Sequence, residues 1–248
     1  MAEKLTKVEF TNLDKILYPS AKITKARVIE YYIRVAPIML GVLADRPIML
    51  TRFPNGIDEE GFYEKDAPAG MPDWVETFRR YSETAGRNVN YVVCRDLDTL
   101  IWLANLAALE IHITMSTVKS FEIPDLVLFD LDPEPPATFD DVIGVALLLK
   151  EKLDELELES YVKTTGKKGL HVVVPIVPEH KFQYTREFVH QIGKYLSKER
   201  DIVVSESSKT KEPGKILIDY SQNSHGRTMI CPYSLRSTSD ATVSQPLE

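Results

Sequence analysis

The sequence predicts a mixed α/β protein in which β-sheets are flanked by helices. An apolar run at residues 125–133 is rich in β-favouring residues and ends in a proline cluster, which indicates a buried strand. Thr138 and Asp141 then form a capping-box pattern that starts a helix, and another strand follows at residues 160–165. With 248 residues, 44% of them hydrophobic, the chain can bury a substantial core as one domain or two closely packed lobes.

The first half of the chain is predicted to alternate strands with two helices. Thr24 is the expected N-cap of the first helix, and Pro37 is expected to kink or break it. Asp98 is the expected cap of a second helix that extends through Leu109, with His112 closing that segment. Residues 81–90 are predicted to be a loop. Strands are predicted at residues 47–53, 61–65, 74–80 and 89–94.

The second half is predicted to continue as strand, helix and strand. The helix that Thr138 caps extends to about Leu156, and residues 184–199 form an amphipathic helix with a core stripe. A polar loop at residues 206–214 separates that helix from a strand. The remaining strands are predicted at residues 170–175, 215–220 and 228–232.

Two carboxylates lie near the end of the strand at residues 125–133. Asp130 and Asp132 share one face of that strand, and carboxylates about 7 Å apart repel each other unless a cation lies between them. A divalent metal is the obvious ligand. Asp219 also follows an apolar strand; alone it is more typical of a turn or a helix cap, but beside the pair it becomes a third candidate ligand.

The loop at residues 164–169 contains two glycines and two lysines. Glycines let backbone N–H groups approach an anion, and lysines add positive charge, so phosphate is a natural ligand. The spacing matches neither the P-loop nor the dinucleotide fingerprint, and a β-hairpin with a solvated basic turn is the alternative. His171 follows the loop directly and could donate to a bound phosphate.

Composition excludes several classes of protein. A net charge of −7 argues against indiscriminate binding of nucleic acid by the whole surface, although local clusters of lysine occur near the candidate site residues. The longest apolar run, around residues 38–44, is too short to span a bilayer, and no signal segment is present. Cys94 and Cys231 lack metal-type spacing, which favours buried or incidental thiols. We therefore expect no membrane partner and a cytoplasmic, nucleoid-associated location.

Several short segments form a recognisable series. Phe-Asp-Leu-Asp-Pro at residues 129–133, Gly-Lys-Lys-Gly-Leu-His at 166–171, Leu-Ile-Asp-Tyr-Ser-Gln-Asn at 217–223 and Pro-Tyr-Ser-Leu-Arg at 232–236 occur in that order. Together with residues 11–19 and 52–56, they resemble the polymerase domain of the multifunctional DNA ligase D of prokaryotic non-homologous end joining. That domain belongs to the archaeo-eukaryotic primase superfamily, and the resemblance covers essentially the whole chain.

The resemblance implies a primase-like catalytic core and nucleotidyl transfer that depends on two Mn²⁺ or Mg²⁺ ions. The family's metal ligands carry over to Asp130, Asp132 and Asp219. Two metals about 4 Å apart can activate a primer 3′-OH and clamp a triphosphate, and they require oxygen ligands. The implied nucleotide-binding residues are Arg52, Phe62, Tyr63, His112, Thr165, Lys168, His171 and Arg236.

Several of these residues have specific roles by resemblance. Lys168, His171 and Arg236 contact the triphosphate, Thr165 and His112 lie near the ribose, and the aromatic pair Phe62 and Tyr63 stacks on bases. DNA contacts are implied at two further places. Asn12, Lys15 and Lys25 grip the 5′-phosphate of a gapped end, and Lys209 and Lys211 lie in a primer or template loop. Glu212 departs from the family pattern, which commonly has arginine in that loop.

The function implied is template-directed addition of nucleotides, preferably ribonucleotides, at gaps and overhangs of double-strand breaks. We expect a single domain at residues 1–248, with a DNA-end-binding part at about 1–90 and the metal and nucleotide site mostly at 91–248. The expected partners are NTPs or dNTPs, DNA ends with a 5′-phosphate, a separate DNA ligase and a Ku-type end-binding protein. No ligase or nuclease pattern is recognised within these 248 residues, so we expect either a standalone member that works with a separate ligase or a domain excised from a larger protein.

Three alternatives stay open. A replicative primase is the closest, since it would use the same residues without a pre-existing 3′ end. A haloacid dehalogenase-like phosphohydrolase also uses an apolar strand that ends in Asp-x-Asp, but Pro133 and Glu134 stand where a hydroxyl residue normally follows. A non-enzymatic DNA-end-binding module would lack one of the acids, whereas all three are present.

Overall fold

The computed structural model describes residues 6–82, 85–206 and 212–247, and the chain divides into two compact units. Unit 1 consists of Met1–Thr114 and Ile230–Val243, and unit 2 of Met115–Met229 and Ser244–Glu248. No helix in the described part of the chain is long and apolar enough to cross a membrane. Both cysteines are buried, as predicted.

Unit 1 is built on a sheet of antiparallel strand pairs with two helices. Its elements are β1 (Ile16–Tyr18), β2 (Ile23–Thr24), α1 (Lys25–Leu43), β3 (Pro47–Arg52), β4 (Phe62–Glu64), β5 (Thr77–Ser82), β6 (Arg87–Val93), α2 (Leu97–Asn105) and β7 (Ala108–Thr114). A six-stranded sheet runs in the order β13-β7-β3-β6-β5, where β13 is Thr228–Ile230, and β4 pairs with β3. Strand β7 is buried at nearly every position, so it forms the inner part of this sheet.

Helix α1 begins where the sequence predicts, since the Thr24 side chain accepts a hydrogen bond from the Arg27 N–H. Pro37 does not break the helix, because α1 continues to Leu43, so of the two expected outcomes only a kink stays a prediction. Proline removes one backbone hydrogen bond at a cost of about 3 kcal/mol. The buried side chains of Tyr32 and Met39 lie on either side of Pro37, and their packing into the core offsets that cost.

The segment that follows β6 differs from its prediction. The N-cap of α2 is Asp96 rather than Asp98, since the Asp96 carboxylate accepts the Thr99 N–H at 2.7 Å. The helix ends at Asn105 instead of Leu109, and Leu109 and His112 lie on strand β7. A continuous apolar run does not distinguish a buried helix from a buried strand, so periodicity alone missed this boundary.

The predicted loop at residues 81–90 is largely strand. β5 extends to Ser82 and β6 begins at Arg87, and the two pair in register as an antiparallel hairpin. Arg79, Arg80 and Tyr81 are exposed on β5. Polar side chains on an exposed strand hide the alternation that identifies strands from sequence.

Unit 2 is built around one buried strand. Its elements are β8 (Leu126–Pro133), α3 (Phe139–Glu155), β9 (Tyr161–Thr164), β10 (Leu170–Pro175), α4 (Phe182–Glu199), β11 (Val203–Val204), β12 (Ile216–Ile218) and a 3₁₀ helix (Tyr220–Asn223). The sheet order is β11-β12-β8-β10-β9, so β8 is central.

The central strand separates a core face from a polar face, as predicted. Val127, Phe129 and Leu131 pack in a buried cluster with Leu149 of α3 and Val189 of α4. The predicted capping box at Thr138 is present and starts α3. Because side chains alternate along a strand, Asp130 and Asp132 lie on the face opposite this cluster.

Asn223 links the 3₁₀ helix to β8. Its side chain accepts the Leu128 N–H at 2.9 Å and donates to the Leu128 carbonyl at 2.7 Å. Strand β12 pairs with β8 only from Leu131 onward, so the amide satisfies backbone groups beyond the end of β12. The residue is 1% exposed.

Replacing Asn223 by alanine should destabilise the protein by about 2 to 4 kcal/mol, because it leaves two buried backbone groups without their partner. Urea denaturation measures this change. The matched control is Asn88→Ala on an exposed position of β6, which should change the free energy of unfolding by less than about 0.5 kcal/mol. Equal losses for the two variants would contradict the structural role of Asn223.

Candidate active site

Three acids meet at one end of the unit 2 sheet. Asp130 is buried near the end of β8, and Asp132 lies two residues further at an exposed position. The backbone N–H of Asp219, directly after β12, donates to the Asp130 carbonyl at 2.9 Å. The pairing of β12 with β8 therefore brings Asp219 beside Asp130 and Asp132. The sequence alone does not show this proximity.

The electrostatics of these acids indicate mutual repulsion. Burial raises the pKa of Asp132, and the carboxylates of Asp130 and Asp219 raise it further, to about 7, while the Lys168 ammonium acts in the opposite direction. Asp132 is exposed, so a cation from solution could reach it. A bound cation would lower the pKa of Asp132 by offsetting the repulsion from Asp130 and Asp219.

Two of the acids also contact hydrogen-bond donors. The Asp219 carboxylate caps the 3₁₀ helix by accepting the Ser221 N–H at 2.9 Å, and an Asp130 oxygen lies 3.2 Å from His171 Nε2. Within residues 6–82, 85–206 and 212–247, no set of three or more carboxylate, imidazole or thiol side chains is already gathered around one point as a metal cage. The Asp219 side chain is thus a helix cap, as the first alternative predicted. A carboxylate has two oxygens with further lone pairs, so this cap does not exclude a ligand role.

The glycine loop is organised by Thr165. Its hydroxyl oxygen accepts the N–H groups of Lys167 and Gly169, each at 3.2 Å, and lies 3.1 Å from the Gly169 carbonyl. Gly166 has a φ of 71°, in the left-handed region that glycine adopts without strain. The loop joins β9 to β10 as an antiparallel hairpin, so the hairpin interpretation holds, and the exposed Lys168 stands near Asp132.

His171 lies in a row of charged or ionisable residues across the sheet. It pairs with Asp130 of β8 on one side and with Lys163 of β9 on the other. Lys163 is 4% exposed, and its ammonium donates to Ser244 Oγ at 2.8 Å. In the sequence, Lys163 lies in a cluster with Lys167 and Lys168, and only the sheet shows that its side chain is buried.

In unit 1, the predicted nucleotide-binding residues occupy two faces of the sheet. On one face Thr51 of β3 pairs with Tyr63 of β4 and with Glu110 of β7, and His112 follows Glu110 by two residues. His112 Nε2 lies 3.3 Å from Thr51 Oγ1, and the ring packs edge-to-face with Tyr63. These contacts bring Tyr63 and His112 together.

Arg52 and Phe62 lie on the opposite face. They pair directly across β3 and β4, with the guanidinium 5.1 Å from the ring centre. Arg52 also forms an ion pair with Glu64 at 2.9 Å and donates to the Leu106 carbonyl at 3.2 Å. Adjacent residues of a strand point to opposite faces, so the predicted aromatic pair Phe62 and Tyr63 is not one stacking surface on β4.

Arg236 is held by a residue that the sequence analysis missed. Glu110 is 4% exposed, and one of its oxygens lies 3.3 Å from Arg236 Nε. Burial alone would raise the pKa of Glu110, but the His112 side chain, the Arg236 charge and the Ser237 hydrogen bonds lower it to about 2. The one available signal was a charged residue within an otherwise apolar run.

Lys15 and Lys25 come together near the N-terminal end of α1. The Lys25 N–H donates to the Lys15 carbonyl at 2.8 Å, and the Lys15 N–H donates to the Asn12 carbonyl at 3.1 Å. Burial lowers the pKa of Lys25, and the positive charge of Lys15 lowers it further. Lys15 also donates to Asn55 at 2.8 Å. The structure thus places the three predicted phosphate-binding residues in one cationic corner of unit 1.

The predicted primer or template loop is described only in part. Lys209 and Lys211 lie outside the described residues, and Glu212 is the first described residue after them. The Glu212 carbonyl accepts the Lys215 N–H at 3.3 Å in the turn that leads to β12.

Gly169 allows β10 to lie close to β8 at the acid cluster. A Cβ atom at this position would lie 2.1 Å from the Leu131 carbonyl oxygen. We expect Gly169→Ala to destabilise unit 2 by at least about 2 kcal/mol, because backbone must move. Gly144 lies in α3 with open space around it, so Gly144→Ala should stabilise the protein by up to about 1 kcal/mol. Chemical denaturation of both variants tests the difference, and a neutral Gly169→Ala would refute it.

Comparison with known proteins identifies relatives along nearly the whole chain. The family model described as LigD, primase-polymerase domain, matches residues 24–248. The chain is 35% identical to the bifunctional non-homologous end joining protein LigD of Bacillus subtilis (strain 168), over 97% of this chain and 39% of that protein. It is 33% identical to the multifunctional non-homologous end joining protein LigD of Mycolicibacterium smegmatis, over 98% of this chain and 32% of that protein. The chain therefore spans about a third of the length of these relatives.

A solved structure shows the same fold. The polymerase domain of Mycobacterium tuberculosis ligase D in complex with DNA matches 98% of this chain, and 87% of that chain is covered, with a TM-score of 0.90 and 30% sequence identity. The primase-like α/β fold inferred from the sequence is confirmed. The chain belongs to the family of LigD primase-polymerase domains, which are metal-dependent nucleotidyltransferases of the polymerase type.

Proposed function

We propose that this protein is the polymerase of an end-joining system, which adds nucleotides, preferably ribonucleotides, to 3′ ends at gaps and overhangs of DNA double-strand breaks. The observation that carries the proposal is the arrangement of unit 2, where strand pairing brings Asp219 beside Asp130 and Asp132, next to the hairpin that ends in His171. A polymerase needs carboxylates and phosphate ligands at adjacent places.

The acids fit a pair of divalent cations, Mn²⁺ or Mg²⁺. Three carboxylates supply the hard oxygen donors that these ions prefer, and the raised pKa of Asp132 indicates a site with excess negative charge. When bound, the ions would lower the pKa of a primer 3′-OH and neutralise charge on the triphosphate. Asp130, Asp132 and Asp219 would hold them, while the Asp130 carboxylate stays close to His171.

Several side chains are suited to the nucleotide. Lys168 and His171 contribute cationic and N–H groups at the glycine loop, and Thr165 holds that loop in shape. Arg236 supplies a forked guanidinium that suits phosphate oxygens. By the family resemblance, ribose contacts are proposed separately for His112 in unit 1 and for Thr165 in unit 2. Tyr63 and Phe62, about half exposed, offer ring faces to bases, while Arg52 supports Phe62.

DNA would be recognised through its end. Lys15 and Lys25 combine two ammonium groups within electrostatic range, which suits a 5′-phosphate better than a neutral terminus. Lys209 and Lys211 remain proposed contacts to primer or template. Because the relatives are named for non-homologous end joining, a separate DNA ligase and a Ku-type end-binding protein are the proposed partners.

Replacing Asp130 or Asp219 by asparagine should lower the rate of nucleotide addition to a 5′-phosphorylated gapped duplex by about 1000-fold. Each variant loses one charged metal ligand, and metal ions supply several kcal/mol of transition-state stabilisation. The assay compares NTPs with dNTPs in Mn²⁺ and in Mg²⁺. Extension at an unchanged rate would refute the metal assignment.

A thermal-melting control separates lost metal from lost folding. In EDTA, Asp132→Asn should melt at or above the temperature of the unchanged protein, because it removes one of three repelling charges. Added Mn²⁺ should raise the melting temperature of the unchanged protein more than that of this variant. Identical Mn²⁺ responses would place the ion elsewhere.

The double variant Lys15→Ala, Lys25→Ala should bind phosphorylated and unphosphorylated gaps equally. The unchanged protein should favour the phosphorylated gap by about tenfold, since charge-assisted hydrogen bonds contribute about 1.5 to 3 kcal/mol. Fluorescence anisotropy with the two duplexes measures the ratio. Lys22→Ala, at an exposed neighbouring position, is the matched control and should retain the preference; the assignment fails if the unchanged protein shows none.

A further inference from the structure

We infer that Glu110 is a positioning residue for nucleotide binding, which holds the side chains of Arg236 and His112 in one arrangement. The inference rests on the proposed function, because Arg236 and His112 are proposed there to bind the nucleotide. It assigns a role to a carboxylate that neither the sequence motifs nor the metal site includes.

The burial of Glu110 requires an explanation. The residue lies in the middle of β7, between Leu109 and Ile111, which are both fully buried, and is itself 4% exposed. Carboxylates are rarely buried to this extent unless they are paired, because removal from water disfavours the charged form. A charge at this position therefore depends on compensating donors.

Those donors come from two separate parts of unit 1. On the segment after β13, the Ser237 N–H and hydroxyl donate to one Glu110 oxygen at 3.0 and 2.8 Å, and Arg236 Nε lies 3.3 Å from the same oxygen. On β7 itself, His112 Nε2 lies 3.4 Å from the other oxygen. One ionised group thus connects two segments that are more than a hundred residues apart in sequence.

For Arg236, the carboxylate completes a set of constraints. The Arg236 N–H donates to the Thr242 carbonyl at 2.8 Å, and its carbonyl accepts from Tyr18 at 2.9 Å, so both sides of the backbone are held. Glu110 then attracts the guanidinium as an ion pair, 3.3 Å from Nε but without hydrogen-bond alignment at that atom. Together with the held backbone, this attraction restricts the directions in which the planar fork can point.

For His112, the carboxylate selects a ring orientation. Nε2 lies between Glu110 and the Thr51 hydroxyl, at 3.4 and 3.3 Å, which favours the ring form with its proton on Nε2. Side chains that are already ordered lose less conformational entropy when a ligand binds. Loss of Glu110 therefore weakens nucleotide binding although no direct contact with the nucleotide is removed.

The test measures ATP affinity with Mn²⁺ present, together with kcat and KM for ATP on a gapped duplex. Glu110→Gln keeps the shape and removes the charge; we expect ATP binding to weaken and KM to rise by about 10- to 100-fold, as for loss of a charged hydrogen bond. Affinity for the 5′-phosphorylated gap should not change. Glu76→Gln, which removes an exposed partner of Arg95, is the matched control and should leave all these values unchanged.

A mutant cycle with Arg236→Ala and His112→Ala distinguishes positioning from general loss of structure. If Glu110 acts through Arg236 and His112, adding Glu110→Gln to a variant that already carries Arg236→Ala and His112→Ala should change ATP affinity by less than about twofold. Independent effects that multiply, or a parallel fall in kcat and in DNA affinity, would overturn the inference. Ser237→Ala removes one donor to Glu110 and should also raise KM for ATP, by a smaller factor. If Glu110→Gln does not fold, this variant tests the positioning role in its place.

The two proposals fail in different ways. If Arg236→Ala leaves ATP affinity unchanged, the nucleotide-binding role of Arg236 is wrong and the proposed function of this group fails. If Arg236→Ala weakens ATP binding while Glu110→Gln and Ser237→Ala do not, the proposed function stands and the role of Glu110 is refuted.

Discussion

The structure of unit 2 depends on one strand that satisfies opposite demands on its two faces. Val127, Phe129 and Leu131 of β8 are buried in the core, whereas Asp130 and Asp132 are the proposed ligands of metal ions on the other face. Alternation along the strand separates these demands at no cost in backbone geometry. The neighbouring strands β10 and β12 then supply His171 and Asp219 at the same end of the sheet.

This arrangement destabilises the folded protein when no cation is bound. Like charges at the end of β8 disfavour the ionised form of Asp132, and a bound cation would reverse that effect. Asn223 and Gly169 oppose the repulsion indirectly, because one completes the hydrogen bonds of Leu128 and the other allows close packing of β10 on β8. Functional sites commonly combine such local repulsion with support from nearby packing.

Unit 1 shows a different use of buried charge. Glu110 is stabilised by donors and keeps its charge, whereas Lys25 has a lowered pKa because burial and Lys15 both oppose its charge. The first arrangement suits a fixed scaffold for other side chains. The second suits an anion, since a bound phosphate would supply the missing negative charge.

The sequence by itself determined the family, the fold class and most elements, because strand and cap signals act locally; β8, the Thr138 cap and the three acids were all predicted. It did not predict that α1 continues past Pro37, that Asp96 instead of Asp98 caps α2, or that α2 ends at Asn105, because neither the choice between nearby caps nor core packing is recorded in a hydrophobic pattern. Only the tertiary structure decided that Phe62 and Tyr63 face opposite ways, that Lys163 is buried beside His171, and that Glu110 holds Arg236. These facts depend on strand pairing between distant segments, and a pattern of neighbouring residues carries no record of that pairing.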